Sequence, residues 1–352
     1  MKINKKVIYN LTKCYSIAPL RYNDDDHILI AAEKNDPCYL FDLEGNFEEI
    51  VWEAPGGAMS MVQFPDSNGV FLATHKFYSP NDSKEAKIVV VKPKNKNQWM
   101  INTLVNLPHV HRFDIVTRNK VHYLIACALK SGHEFKEDWS SPGKIYVGIL
   151  PDDLSKFNED NQLSLTILKD NLLKNHGYYK FKEDGIEKCI ISADNGVYIC
   201  TPPENREEQW AIKQILEDPS SDAVLVDMDN DGELELISID GFHGNKINFY
   251  KKKNGIFEKV YVHDHVDFAH AIYGGNFLGK PSVIIGHRKG ERNLLWFTYD
   301  NEKQEYKVEV LDRDCGPANV FKFDRNGEEV LISTNREINE IAMYTFEKEQ
   351  EE

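Results

Sequence analysis

Long hydrophobic runs are absent from this sequence. No stretch reaches the roughly 18–20 apolar residues that span a bilayer, and the basic N-terminus lacks the apolar segment of a signal peptide. The chain is therefore expected neither to cross a membrane nor to be exported. Cationic charge is short as well: 42 Lys and Arg stand against 57 Asp and Glu, a formal net charge of −15. Such a surface repels nucleic acid and anionic lipid, so neither is expected as a partner. Cysteine is sparse, and Cys14, Cys38, Cys127, Cys189, Cys200 and Cys315 form no Cys-x-x-Cys motif. They sit mostly in apolar runs, read as reduced core residues, and predict a cytoplasmic protein. There is no Gly-rich phosphate loop, no Ser-His-Asp order and no cysteine-based zinc motif. Helical periodicity is nearly missing too, with only residues 152–156 and 204–209 suggesting a helical turn.

What the sequence does contain is a repeat. Residues 268–288 align with residues 316–336 at one constant offset of 48, which sets Asn276 over Asp324, Gly279 over Gly327 and His287-Arg288 over Asn335-Arg336. The same layout recurs at Ala223-Val-Leu-Val-Asp, His176-Gly-Tyr-Tyr-Lys-Phe, His111-Arg-Phe-Asp-Ile-Val and Met59-Ser-Met-Val-Gln-Phe, and more weakly at Ile17-Ala-Pro-Leu-Arg-Tyr. Marker positions at 17, 59, 111, 176, 221, 270 and 318 are separated by 42, 52, 65, 45, 49 and 48 residues. A four-stranded propeller blade takes roughly 40–50 residues. The repeat thus predicts an all-β, single seven-bladed β-propeller over residues 1–346, followed by an acidic tail at 347–352. Each repeat is preceded by an outer strand, and the chain opens on one at residues 6–11 while closing on a third strand at 341–346. The N-terminal strand is expected to complete the seventh blade and close the ring, which removes an open sheet edge.

One turn carries its own chemistry. Asp227-Met-Asp-Asn-Asp-Gly-Glu-Leu-Glu places Asp227, Asp229 and Asp231 at alternate positions, a glycine at the bend and Glu235 beyond it. Hard oxygen ligands at this spacing suit Ca²⁺, here in a structural role, and the alternative is an acidic β-turn without an ion. The loop resembles that of FG-GAP/VCBS propeller repeats, and the Leu-Ile-Ser after it fits the same pattern. The pair of repeats holding His270 and His287-Arg288 is also similar to repeats of VCBS-type sugar lyases. That resemblance implies a propeller and, more distantly, lyase chemistry on a carbohydrate.

In a propeller the start of each inner strand and the end of each second strand meet at one face. His111, His176 and His270 share one repeat position there and are expected to converge on a divalent transition metal, Zn, Mn or Fe. The competing reading is that they hydrogen-bond across the channel. His75, His243 and His287 end second strands on the same face, His133 follows in a long loop, and His109, His263 and His265 precede inner strands. Only His27 and His122 map to the other side. Lys76, Tyr78, Lys130, Arg288 and Arg336 form a cationic rim suited to a carboxylate or phosphate, unless each is paired with a nearby acid.

The leading expectation is a metal-dependent lyase or isomerase acting on a small carbohydrate or sugar acid. His111, His176 and His270 would hold the metal, with His75, Tyr78, Lys130 and His287 as acid–base candidates and Arg288, Arg336 and Lys76 holding the acid group. The alternative is a non-enzymatic propeller scaffold that binds a protein partner. A calcium-dependent sugar lactonase is disfavoured, because three marker positions carry His where such a channel needs Glu, Asn and Asp.

Overall fold

Apolar runs flanked by Asn, Asp and Gly turns become strands. The computed structural model describes residues 1–95, 97–135 and 137–347, and arranges them as 28 strands in seven four-stranded sheets. Six blades are built from consecutive strands, over residues 14–52, 61–106, 110–172, 177–216, 220–264 and 269–312. The seventh joins Asn319–Arg325, Glu328–Asn335 and Glu340–Glu347 to the N-terminal strand Lys2–Asn10. The ring is closed as the repeat requires, by a strand that begins four residues earlier than the pattern suggests. It pairs antiparallel from Lys2 opposite Glu347 to Asn10 opposite Glu340. Of the expected acidic tail, residues 348–352 lie outside the described residues.

No helix occurs among the described residues, so the fold is all-β. The two segments with helical character are turns. Asp153 accepts the Ser155 N–H at 2.8 Å and Asn205 accepts the Glu207 N–H at 3.0 Å, which satisfies those donors locally and does not propagate a helix. Among the described residues no helix is long and apolar enough to cross a membrane.

The core is divided. Seven apolar clusters lie one between each successive pair of blades, and the cluster that joins Phe323, Ile332 and Met343 to Ile28, Ile30 and Phe41 seals blade seven to blade one. Second strands face a neighbouring blade on both sides, which is why Phe71–His75 is buried throughout. Outer strands such as Ile256–Asp264 are largely exposed. All six cysteines are buried and unpaired.

First strands of successive blades touch one another all the way round and so line the axis. Each begins the same way. The residue two before the marker has positive φ in six blades, at Lys13, Gly57, His109, Lys174, Phe268 and Gly316. In four blades the marker itself is a β-bulge, at Tyr15, His111, Ser221 and His270. The bulge corrects the alignment of blade one: its marker is Tyr15 rather than Ile17. A bulge re-aims the side chain it carries, so this position is where the fold turns residues toward the channel mouth.

Candidate metal centre

His111, His176 and His270 each use Nδ1 identically. It lies 3.2 Å from the His176 carbonyl, 3.2 Å from the Ser221 carbonyl and 2.8 Å from the Ala318 carbonyl, respectively. Each acceptor is the marker residue of the next blade. A carbonyl only accepts, so each Nδ1 carries the proton and each Nε2 keeps its lone pair. The channel-crossing alternative is thus realised as a lacing between adjacent blades, continued by Asn319 Nδ2 donating to the Tyr15 carbonyl at 2.8 Å. The same bonds select the tautomer a metal ligand requires, since ligating imidazoles commonly donate their other N–H to a carbonyl or carboxylate. His176 has both: the Asp222 carboxylate lies 3.1 Å from its Nδ1.

Two of the three expected ligands converge, with a third the repeat did not single out. His176 Nε2 is 3.2 Å from His243 Nε2, and the His270 ring lies 5.4 Å from that of His176 and 5.1 Å from that of His243. One ligating atom of each of these three falls within 4.8 Å of the others. His111 lies tilted against His176, with ring centres 4.4 Å apart, and stands beside this group, outside it. Burial, reinforced by neighbouring positive charge, holds His111, His243 and His270 well below the usual imidazole range, so they are neutral and able to bind a cation. The blade-one marker also arrives here, its Tyr15 hydroxyl donating to His270 Nε2 at 2.9 Å.

Aromatic rings wall the group. Phe242 lies 4.0 Å and Phe268 4.2 Å from the His243 ring, while Trp139 packs edge-on to Phe242 at 5.1 Å. His243 and Phe268 both have positive φ, at 54° and 59°, an uncommon conformation for a non-glycine residue and rarer for a bulky one.

The remaining candidate residues are held elsewhere or already engaged. His75 is buried against Trp52 at 4.7 Å, and burial, with the charges of Lys87 and Lys76, pushes its pKa down to about 3. His287 uses both nitrogens within its own loop, donating to the Lys289 carbonyl at 2.9 Å and accepting the Asn293 N–H at 3.0 Å. The Lys130 ammonium is buried on the face of Trp139 at 4.0 Å and donates to Asn81 Oδ1 and the Asp138 carbonyl; burial lowers its pKa. Tyr78 presents its carbonyl to the Lys34 ammonium, and burial raises its phenol. Lys76 pairs with Glu85 at 2.8 Å. Arg288 pairs with Glu337 at 2.8 Å, and Arg336 bridges Glu337 and Glu33. Three of the rim cations, Lys76, Arg288 and Arg336, are thus each paired with a glutamate.

In the acidic loop Asp227, Asp229 and Glu235 come together, with Asp231 farther out. A lysine shares the site: the Lys251 ammonium contacts Asp229 and lies 3.3 Å from Glu235 and 4.0 Å from Asp231. The carboxylates also cap backbone donors, Asp227 taking the Asp231 and Gly232 N–H groups at 3.1 Å each and Glu235 taking that of Met228 at 2.6 Å.

Sequence reasoning placed His243 on the correct face without giving it a role, and passed over Tyr15, Asp222, Phe242 and Arg112. Aligning Cys14-Tyr15-Ser16 with Val110-His111-Arg112 would have exposed the first.

No protein-family model matches this chain, and no curated protein matches it in sequence. Solved structures match its fold across nearly the whole chain. The WD40 propeller domain of Doa1 is 14% identical, with a TM-score of 0.59 and 98% of each chain covered. A streptogramin B lyase is 14% identical, with a TM-score of 0.56 and the same coverage. A putative 6-phosphogluconolactonase from Bacteroides uniformis is 11% identical, with a TM-score of 0.57, covering 96% of this chain and 93% of that one. At such identities the likeness is one of architecture alone.

Proposed function

We propose that this propeller is a metal-dependent lyase or isomerase acting on a carbohydrate or sugar acid at the mouth of its central channel. The observation that carries the reading is the group His176, His243 and His270, with one nitrogen from each lying within 4.8 Å of the others. In His176 and His270 the Nδ1–H is anchored on a backbone carbonyl, which turns the opposite nitrogen toward a divalent Zn, Mn or Fe ion; in His270 that ion would displace the Tyr15 hydroxyl, which holds the Nε2 lone pair at 2.9 Å. His243 joins by carrying its proton on Nδ1. A metal here supplies Lewis acidity, which polarises a substrate carbonyl or carboxylate and acidifies the adjacent C–H. His111, a neutral imidazole with Nδ1–H fixed, stands next to the group, where its Nε2 lone pair can accept a hydrogen bond from a substrate hydroxyl; burial makes it a weak base. Phe242, Phe268 and Trp139 exclude water and offer apolar faces to a sugar ring.

Propellers host unrelated functions, including the lyase, the putative lactonase and the WD40 domain that share this architecture, so the site and not the fold supports the choice. One observation favours the scaffold alternative: the rim arginines are neutralised by Glu33 and Glu337. Metal analysis separates the two readings. Protein purified without a polyhistidine tag should carry stoichiometric transition metal. His176→Ala, His243→Ala and His270→Ala should each lose most of it, together with turnover of a panel of keto-sugars and uronates. His122→Ala, whose ring bonds Thr117 at 2.8 Å on the opposite face, should lose none. Wild-type protein free of metal after growth in supplemented medium would sink the enzyme reading.

A further inference from the structure

All seven inner strands contribute to one cavity of about 190 Å³ in the central channel. Its polar lining includes Ser16, Ser60, Arg112, Asp222, His270 and Asn319, so it adjoins the imidazole group through His270 and through Asp222, the partner of His176. The volume suits a small acid or the acid end of a larger molecule, being below the range usual for whole drug-sized ligands.

The charges in this cavity are unevenly matched. Asp222 is held by His176, and Asp114 is held by the Lys180 ammonium at 3.0 Å and by the Ile115 N–H. Arg112 has no such partner. Among the described residues its guanidinium makes one hydrogen bond, from Nη1 to the Met59 carbonyl at 2.7 Å, and has no carboxylate within ion-pair distance. It lies 5.8 Å from the centre of the Tyr15 ring, and its charge helps depress His111, His243 and His270. A guanidinium keeps five N–H donors in a planar fork, so most of this fork is unused. The other arginines named in this site, Arg288 and Arg336, are each paired with a glutamate.

We infer that Arg112 anchors a carboxylate in the central cavity, and thereby selects acids for the site above it. The recognition is a charge-assisted, two-point contact between the fork and a planar carboxylate, with the Ser16 and Ser60 hydroxyls beside it. The ligand class follows: a small hydroxy or keto acid, or a sugar acid inserted acid end first. The inference rests on the proposed metal reading only for what happens at the other end of the ligand, since the carboxylate contact itself needs no metal.

The test is calorimetric titration of chelator-treated protein with glycolate, and separately with inorganic phosphate. Wild-type protein should bind glycolate. Arg112→Gln should weaken it by about tenfold or more, and Arg112→Lys, which keeps the charge but loses the fork, should weaken it less. Arg21→Gln, at the far end of its strand, should change nothing. Absence of glycolate binding in the wild type, binding of phosphate alone, or equal affinity in Arg112→Gln each overturns the assignment. A glycolate-soaked crystal of the wild type needs no variant, and carboxylate density away from Arg112 overturns it as well. Metal content measured on the same samples keeps the two readings apart: metal-free protein that still binds glycolate through Arg112 defeats the enzyme proposal and leaves this one standing.

Discussion

His75 and His109 show at the level of single residues what this interior does to charge. Burial dominates in both, supplemented by Lys87 and Lys76 for His75 and by His133 and Lys130 for His109, and it brings them down to about 3 and about 4. In the unfolded chain both return to about 6.5. Between those values the unfolded state binds protons that the folded state refuses, so stability is fully present above about 6.5 and is lost as pH falls through it. Each such group contributes a slope of about 1.4 kcal/mol per pH unit in that window. Chemical denaturation at pH 7.5, 6.0 and 5.0 should therefore show a steep fall, and His75→Gln should reduce proton uptake on unfolding by about one. A stability that stays flat from pH 7.5 to 5.0 would contradict the burial argument. The placement of His176 and His270 was legible in the sequence because a repeat fixes where a residue sits. Which partners it meets was not, because pairing depends on loops outside the repeat. Arg336 reads as an available cation until Glu33, 303 residues away, is brought against it by ring closure.

Elements show the same division between pattern and partner. The 48-residue offset revealed blades six and seven because their first turns and second strands have equal length. Blade one was set two residues late because Ile17-Ala-Pro-Leu looks like the start of an apolar strand, and a bulge at Tyr15 leaves no mark in composition. The acidic loop between the first two strands of blade five reads as four carboxylates, of which the structure brings Asp227, Asp229 and Glu235 together, and its counter-charge comes from the third strand. Burial pushes Glu235 up to about 7, whereas at Asp229 the Lys251 ammonium outweighs burial and holds the carboxyl below its usual range. Removing the ammonium leaves closely spaced carboxylates facing one another. Lys251→Met should lower the melting temperature in chelator by several degrees, and millimolar Ca²⁺ should restore it by supplying the missing positive charge. Wild-type protein, with Lys251 in place, should respond less to Ca²⁺ than the variant does. A variant that melts normally in chelator would show that Lys251 is not the counter-ion.

At the scale of the whole molecule, seven separate cores must be held in a ring, and one non-consecutive strand pairing does it. Lys2–Asn10 supplies the outer strand of blade seven, and its side chains continue into blade one: Tyr9 lies 4.9 Å from Tyr39, 5.8 Å from Phe41 and 5.6 Å from Phe47. Lys5 adds ion pairs to Asp312 at 2.8 Å and Glu340 at 2.6 Å. Deleting residues 1–12 would strip these contacts and expose the backbone of Glu340–Glu347 as an open edge. Losing the buried Leu11, worth about 1.5–3 kcal/mol, and the half-buried Ile3, Ile8 and Tyr9, together with the strand ladder, should lower the melting temperature by about 10 °C or more, or yield aggregated protein. The antiparallel register, with Lys2 opposite Glu347, also supplies a rescue. A circular permutant that starts at Lys13 and carries residues 2–12 after residue 347 through a short turn turns the closure into an ordinary hairpin. It should fold and melt within a few degrees of the wild type, because every contact of the ring is regained and only the connection differs. Since blade seven is the one that presents Ala318 to His270 and Asn319 to Tyr15, the proposed metal reading requires the truncated chain to lose transition metal where the permutant retains it. A truncated protein with unchanged melting temperature and metal content would show that the N-terminal strand decorates the ring without closing it.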